Sequence, residues 1–464
     1  MTDRTAPRLS DVIHGTQAEV RGSAALGELI THVTTDSRSV AKGSLFVALR
    51  GAKHDGHDYV TQAFADGAQA VLVSRIPSDC TWGDDGPPLL LVPDTLKALQ
   101  DLAHWWRRQH HAEVIGVTGS VGKTTTKDVT AAVLSQRLPV LSSEGNLNTE
   151  IGLPLTLLRL RQHHRAVVLE MGMHALGDIR LLASIAEPRL GIVTNVQPSH
   201  LERLGTIERI AEAKSELPES LPPDGVAILN ADDPRVRAMT ERTRARSTLY
   251  GLSAEAQVRA TSSVSRGLRG VEFRLHVADR SAQVHLPLLG LHSIHAALAA
   301  GAVATELGFS LDETAEGLYK VSPSLRILID RGLNGSRIID DTYNANPESV
   351  LAGLNLLADL GGRKIAVLGD MLELGSHEEP GHRIVGGRAA IVTNLLITVG
   401  DRMASAADEA RTSGMRSESV IQCATNADAI DALRRHLRPG DNVLVKGSRG
   451  MQMEEIVRAI RLDN

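Results

Sequence analysis

Residues 113–130 read E-V-I-G-V-T-G-S-V-G-K-T-T-T-K-D-V-T, and their types and spacing suit the chemistry of a nucleoside triphosphate. The apolar, β-branched start (Val114, Ile115, Val117) predicts a buried strand. Gly119, Ser120, Val121 and Gly122 follow as a loop whose backbone N–H groups can close around a phosphate. Lys123, Thr124 and Thr125 then open a helix whose N-terminus adds its positive dipole end. In that arrangement Lys123 reaches the β- and γ-phosphates, and the Thr124 hydroxyl holds Mg²⁺. The standard phosphate loop has a glycine six residues before the lysine. Val117 stands there instead, which leaves the tighter G-x-x-G-K-T.

Other side chains could work beside that loop. Glu170 ends a predicted strand in L-E-M-G, and a carboxylate at the carboxyl end of a parallel strand suits Mg²⁺ as well as it suits a helix cap. His200 follows the next strand, in N-V-Q-P-S-H-L-E, where it is either structural or a ligand. Lys214 shares one helical face with Ile207, Ile210 and Ala211. A lysine on an apolar stripe must snorkel, pair with an acid or lose its charge. An uncharged amine can react with CO₂ to give a carbamate that holds a metal ion. Asn146 and Asn148 are turn formers or ligand contacts. Polar clusters at 340–347, 369–375 and 446–450 all follow predicted strands, which points to one shared cleft at the carboxyl edge of a sheet.

These residues need a large scaffold to hold them. The chain has 464 residues, too many for one core, and about three domains are expected. With 42% hydrophobic and 23% charged residues it has a globular composition, and no apolar run is long enough to span a bilayer. A net charge of −5 and only 11 aromatic side chains give no sign of nucleic-acid binding. Cys80 and Cys423 are too far apart in sequence for a zinc motif or a disulfide framework, so both are expected as reduced, buried thiols in a cytoplasmic protein. Strands predicted at 114–118, 166–170, 190–196 and 226–230 alternate with helices, as do those at 337–341, 364–369, 394–400 and 442–446. Both sets predict mostly parallel α/β sheets. Between 257 and 290 the period changes to two, with Val271, Phe273, Leu275 and Val277 alternating with polar neighbours, which predicts a small antiparallel insertion.

Taken together, the phrases T-D-S-R, G-S-L-F-V-A-L-R-G, T-G-S-V-G-K-T-T, G-N-L-N-T-E-I-G-L-P-L-T and L-E-M-G-M resemble those of the Mur ligases, the ATP-dependent amide-forming enzymes of peptidoglycan synthesis. So do T-N-V-Q-P-S-H-L-E, A-K-S-E, D-D-T-Y-N-A-N-P-E-S, L-G-D-M-L-E-L-G and V-K-G-S-R-G-M further on. The resemblance implies three α/β domains: 1–110 holding the UDP end of a substrate, 111–325 binding ATP, and a Rossmann-like unit at 326–464 closing over the cleft. It implies that Lys123, Lys214, His200 and Arg326 act in catalysis. Thr124 and Glu170 would hold one Mg²⁺, and Glu170, His200 and a carbamylated Lys214 a second. His292, Asn344, Asn346 and Asp370 would join the loop residues around the nucleotide. Ser37, Arg38, Phe46, Asn146, Asn148, Ser448 and Arg449 would contact substrates.

The phrases around Asn344, Asp370 and Arg449 point to the branch of the family that joins D-alanyl-D-alanine to UDP-N-acetylmuramoyl-tripeptide through an acyl phosphate. A monomer without nucleic-acid partners or membrane insertion is implied. The alternatives are a sister ligase of the family, a folylpolyglutamate synthase-like amide ligase, or a P-loop NTPase without ligase activity.

Overall fold

The computed structural model describes residues 6–76, 86–198, 201–322 and 328–462. Among these, the strands form three sheets. His200 and Arg326, two of the expected site residues, lie outside the described residues, as does Cys80.

The first sheet has five strands in the order Glu19–Arg21, Leu89–Leu91, Ala68–Val73, Ser44–Val47 and His32–Thr34. Its outer pair, Glu19–Arg21 with Leu89–Leu91, is antiparallel and the other pairs are parallel. Every side chain of Ser44–Val47 is buried, as a parallel strand covered on both faces requires. Phe46 is fully buried among Ala48, Val60, Ala63, Val71, Val73 and Leu89, so its ring supports the sheet and offers no surface to a ligand.

Helix Thr95–Arg108 ties this sheet to the next. Asp94 caps it, accepting the N–H groups of Leu96 and Lys97. Its apolar face buries Leu99, Leu102, Ala103 and Trp106, and the Trp106 indole donates to the Leu160 carbonyl at 3.1 Å. Those side chains join Leu153, Leu157 and Ile179 of the middle unit in one continuous core.

The middle sheet has nine strands. Val140–Ser142, Ala166–Glu170, Glu113–Thr118, Leu190–Val193, Val226–Asn230, Arg246–Gly251 and Val258–Ser265 run parallel in that spatial order. Val271–Val277 and Arg280–Leu286 extend the same sheet antiparallel. The expected antiparallel part is therefore a continuation of the central sheet. Its alternation is real: Val271, Phe273 and Leu275 are buried between more exposed neighbours.

The third sheet runs Leu328–Arg331, Arg337–Asp340, Asn442–Lys446, Lys364–Gly369, Leu395–Val399 and Val420–Cys423, parallel except for the first pair. Cys423 is a free, buried thiol. Among the described residues no helix is long and apolar enough to cross a membrane.

Candidate active site

The carboxyl ends of the middle and third sheets face a shared cavity of about 1200 Å³. Residues from Thr118 to Ala296 line one side of it and residues from Asp341 to Gly450 the other.

The phosphate loop sits on the middle side. Strand Glu113–Thr118 is buried from Val114 onward and empties into Gly119, whose φ is +147°. A Cβ at Gly119 would lie 1.8 Å from Thr194 Oγ1, so the loop can run against the neighbouring strand only as glycine. Gly122, at φ +82°, is the N-cap of helix Lys123–Leu134. Side chains beyond the adjacent strand strap the loop down. Asn195 accepts the Val121 N–H at 2.9 Å, Thr194 donates to the Val121 carbonyl at 2.7 Å, and Ser120 Oγ donates to Gln197 O at 3.0 Å. Lys123 Nζ donates to the carbonyls of Gly119 at 2.7 Å and Ser120 at 3.1 Å, which places the ammonium at the loop mouth. Thr124 and Thr125 line the cavity beside it.

Glu170 ends strand Ala166–Glu170 and is buried. Asn148 donates to its Oε1 at 2.7 Å, while its Oε2 is buried without a hydrogen-bond partner. A carboxylate oxygen left so is costly, and a cation at the cavity would satisfy it. Among the described residues no three His, Cys, Asp or Glu side chains gather as a ready-made metal set. Glu170 with the Thr124 hydroxyl nevertheless fits a magnesium ion that takes its remaining ligands from phosphate and water.

Lys214 lies on helix Ile207–Glu219, capped by Thr206, and faces inward with Ile210, Ala213 and Leu217. It does not snorkel: it is 2% exposed. Burial, and then the charge of Lys123, push its pKa far below the ordinary lysine value. An uncharged amine at a cavity wall is a nucleophile toward CO₂.

The third-sheet side is built from the three polar clusters, cross-tied. Lys446 is buried and pairs with Asp341 at 2.7 Å while donating to the Asn344 carbonyl at 2.8 Å. Ser448 Oγ accepts the Leu372 N–H at 2.8 Å and donates to Ala345 O at 3.3 Å. Lys446 opens the 446–450 cluster expected at this cleft, a charged side chain ending a buried parallel strand. Asp232 and His295, 2.9 Å apart, also line the cavity; an acid and a histidine 63 residues apart in sequence carry no joint signal.

Of the other expected residues, Asn148, His292, Asn344, Asn346, Ser448 and Arg449 line the cavity. Asn346 carries a second task, capping helix Pro347–Ala358 through the Ser349 N–H at 2.9 Å. Two expected residues lie away from the cavity wall. Asp370 does not line the cavity; its carboxylate is buried and accepts the Met403 N–H at 2.9 Å, holding the turn after strand Leu395–Val399. Asn146 is exposed and also lies off the cavity wall. Ser37 and Arg38 sit on a short turn of the first unit, with Arg38 paired to Asp36 at 2.7 Å, and they do not line this cavity.

Comparison with known proteins gives this geometry a class. Residues 117–304 match the Mur ligase middle domain, 326–449 the Mur ligase glutamate ligase domain, and 29–105 the Mur ligase family catalytic domain. The chain belongs to the Mur ligase family. Within it, the chain is similar to the UDP-N-acetylmuramoyl-tripeptide–D-alanyl-D-alanine ligases of Bacillus subtilis and Escherichia coli, at 36% identity to each. Those matches cover 99% of this chain and 98% and 99% of the two relatives. Among solved structures it is similar to MurF from Acinetobacter baumannii, with 31% identity, TM-score 0.85, and coverage of 97% of this chain and 98% of that one. It is also similar to a MurF ligase from Thermotoga maritima in complex with ADP, with 28% identity, TM-score 0.80, and coverage of 93% and 97%.

Proposed function

We propose that this chain joins D-alanyl-D-alanine to UDP-N-acetylmuramoyl-tripeptide, cleaving ATP to ADP and phosphate, and so makes the UDP-pentapeptide of peptidoglycan precursor synthesis. What carries this is the likeness, over nearly the whole of both chains, to ligases of that name.

In the first step a tripeptide carboxylate oxygen attacks the γ-phosphorus and the bond to the ADP oxygen breaks, leaving an acyl phosphate. In the second, the dipeptide amine attacks the acyl carbon, phosphate departs with the C–O electron pair, and the amine proton is lost. The first step brings anion against anion, so charge must be neutralised and the reactants held in line. Lys123 and the N–H groups opening helix Lys123–Leu134 hold the phosphates. Thr124 and Glu170 would hold one Mg²⁺, and Glu170, His200 and Lys214, carbamylated by loss of a proton as its nitrogen bonds CO₂, a second. These ions would neutralise charge on the transferring phosphoryl group. Arg326 would reach the γ-phosphate from the closing domain, beside Asn344 and Asn346. Ser37 and Arg38 would hold the UDP end, and Ser448 and Arg449, at the far lip, an anionic part of a substrate. The enzyme would work in the cytoplasm as a monomer.

The test is mass spectrometry of a reaction containing the protein, Mg-ATP, UDP-N-acetylmuramoyl-tripeptide and D-alanyl-D-alanine. A UDP-pentapeptide with matching ADP and phosphate is expected. Phosphate release that ignores both co-substrates would replace the ligase with a simple NTPase.

A further inference from the structure

Helix Lys123–Leu134 carries a second lysine that phosphate binding does not use. Lys127 follows Lys123 by four residues and Thr124 by three, so the three share one helical face. Lys123 and Thr124 line the cavity, whereas Lys127 lies behind its wall and is 3% exposed. A buried ammonium is tolerated only when paired and hydrogen-bonded. Lys127 Nζ meets both needs, pairing with Asp128 Oδ1 at 2.8 Å and donating to the Ser143 carbonyl at 2.5 Å. A methionine would fill the same space without desolvating a charge. What the ammonium adds is a directed bond from the helix to Ser143.

That bond leads to Glu170. Ser143 is itself buried; its N–H donates to Val168 O at 3.1 Å, and its Oγ accepts the Glu170 N–H at 3.1 Å. Five residues on, Asn148 donates to Glu170 Oε1, and its own carbonyl accepts the Gly172 N–H at 2.9 Å. Segment 143–148 thus holds Glu170 by its backbone and by one carboxylate oxygen, and Oε2 is left for a cation. Thr124 and Glu170 stand on different elements, one on the helix and the other ending strand Ala166–Glu170. Mg²⁺ tolerates little departure from octahedral geometry, with its oxygens at about 2.1 Å, so the spacing of those two elements matters.

We propose that Lys127 is a positioning residue for magnesium: through Ser143 it sets the distance between the Thr124 hydroxyl and the Glu170 carboxylate. This rests on the proposal that those two side chains hold a Mg²⁺ beside ATP.

Calorimetric titration of the full chain with ATP, once with Mg²⁺ and once with EDTA, isolates the affinity that magnesium supplies. Neither peptide substrate is present, so ligase activity does not enter. Wild type is expected to bind ATP more tightly with Mg²⁺ than in EDTA. Lys127→Met should lose about tenfold or more in affinity for Mg-ATP, the usual loss when a group that orients a metal ligand is removed. Its binding of ATP in EDTA should match wild type. Ser143→Ala keeps the buried ion pair and removes only the hydroxyl that holds Glu170. It should show a smaller loss of the same kind, and it carries the test should Lys127→Met fold poorly. In a Glu170→Gln background, Lys127→Met should take nothing further from the magnesium-dependent part. Equal weakening with Mg²⁺ and in EDTA would make Lys127 a residue of the core alone and overturn the inference. So would an unchanged gain from Mg²⁺ in both single variants, or losses that simply add in the double variant. Wild type that binds ATP no better with Mg²⁺ overturns the magnesium reading beneath it, and wild type that binds no ATP overturns the nucleotide reading as well.

Discussion

Lys214 is the residue where stability and chemistry pull apart. On sequence it is a lysine on an apolar stripe, for which snorkelling is the ordinary outcome. The fold removes that outcome by burying the whole side chain on the face that carries Ile210, Ala213 and Leu217. If it serves as a carbamate, Lys214→Ala should lose about 100-fold or more in kcat, a typical loss for a removed transition-state contact. Short carboxylates such as acetate should restore part of it, and full activity in the variant would remove the role. Stability should move the other way. The folded-state pKa lies below the unfolded value, so between the two the unfolded chain binds more protons and stability rises with pH. In CO₂-free buffer at neutral pH, Lys214→Met should therefore be more stable than wild type, by on the order of 1–3 kcal/mol. Denaturant titrations should show that gap narrowing as pH climbs toward the ordinary lysine pKa.

At the scale of elements, the strand–loop–helix around Lys123 was legible because each part announces itself: a β-branched run, two glycines, then a lysine with threonines. What the motif does not say is that its two glycines do different work. Gly119 is glycine because a Cβ would strike Thr194, whose hydroxyl is bonded to Val121 O. Gly122 has open space around its Cβ position and needs only a positive φ. Gly122→Ala should thus cost roughly 1–2 kcal/mol of left-handed strain. Gly119→Ala should cost more and weaken Mg-ATP binding at least about tenfold, because the strapped loop must move. Paired melting curves and nucleotide titrations separate the two, and equal losses would show that backbone strain alone governs the loop. Side chains pinned by distant partners were not legible in the same way. Phe46 and Asp370 sit in ligand-like phrases, yet the first fills a core and the second holds a turn, because burial and a bond to Met403 are properties of the folded neighbourhood.

Across the whole molecule, parallel strands were the easiest part to read. Ala166–Glu170, Val226–Asn230, Lys364–Gly369 and Asn442–Lys446 coincide with the apolar runs that predict them. Strands less marked by composition, such as Val420–Cys423 with its half-polar pattern, were not. The cores also say which joints are stiff. The first unit and part of the middle unit share one core through Trp106 and its neighbours, so they should move as a single body. The third unit has its own cores, and among the described residues it meets the middle unit through Leu289 and Leu268 and polar contacts such as Ser265–Asp359 at 2.6 Å and Arg203–Glu373 at 3.8 Å. The cavity between them is walled by both units, so ligands that bridge it gain contacts when the third unit swings inward. Small-angle scattering should show the radius of gyration falling when a non-hydrolysable ATP analogue and both substrates are added together, and by less with nucleotide alone. Trp106→Ala should leave that contraction in place while costing about 3–5 kcal/mol of stability, since it damages the shared core and not the hinge. Scattering unchanged by the full ligand set would mean that the two walls already stand at their working distance, and that the sparse contacts between them are a fixed seam.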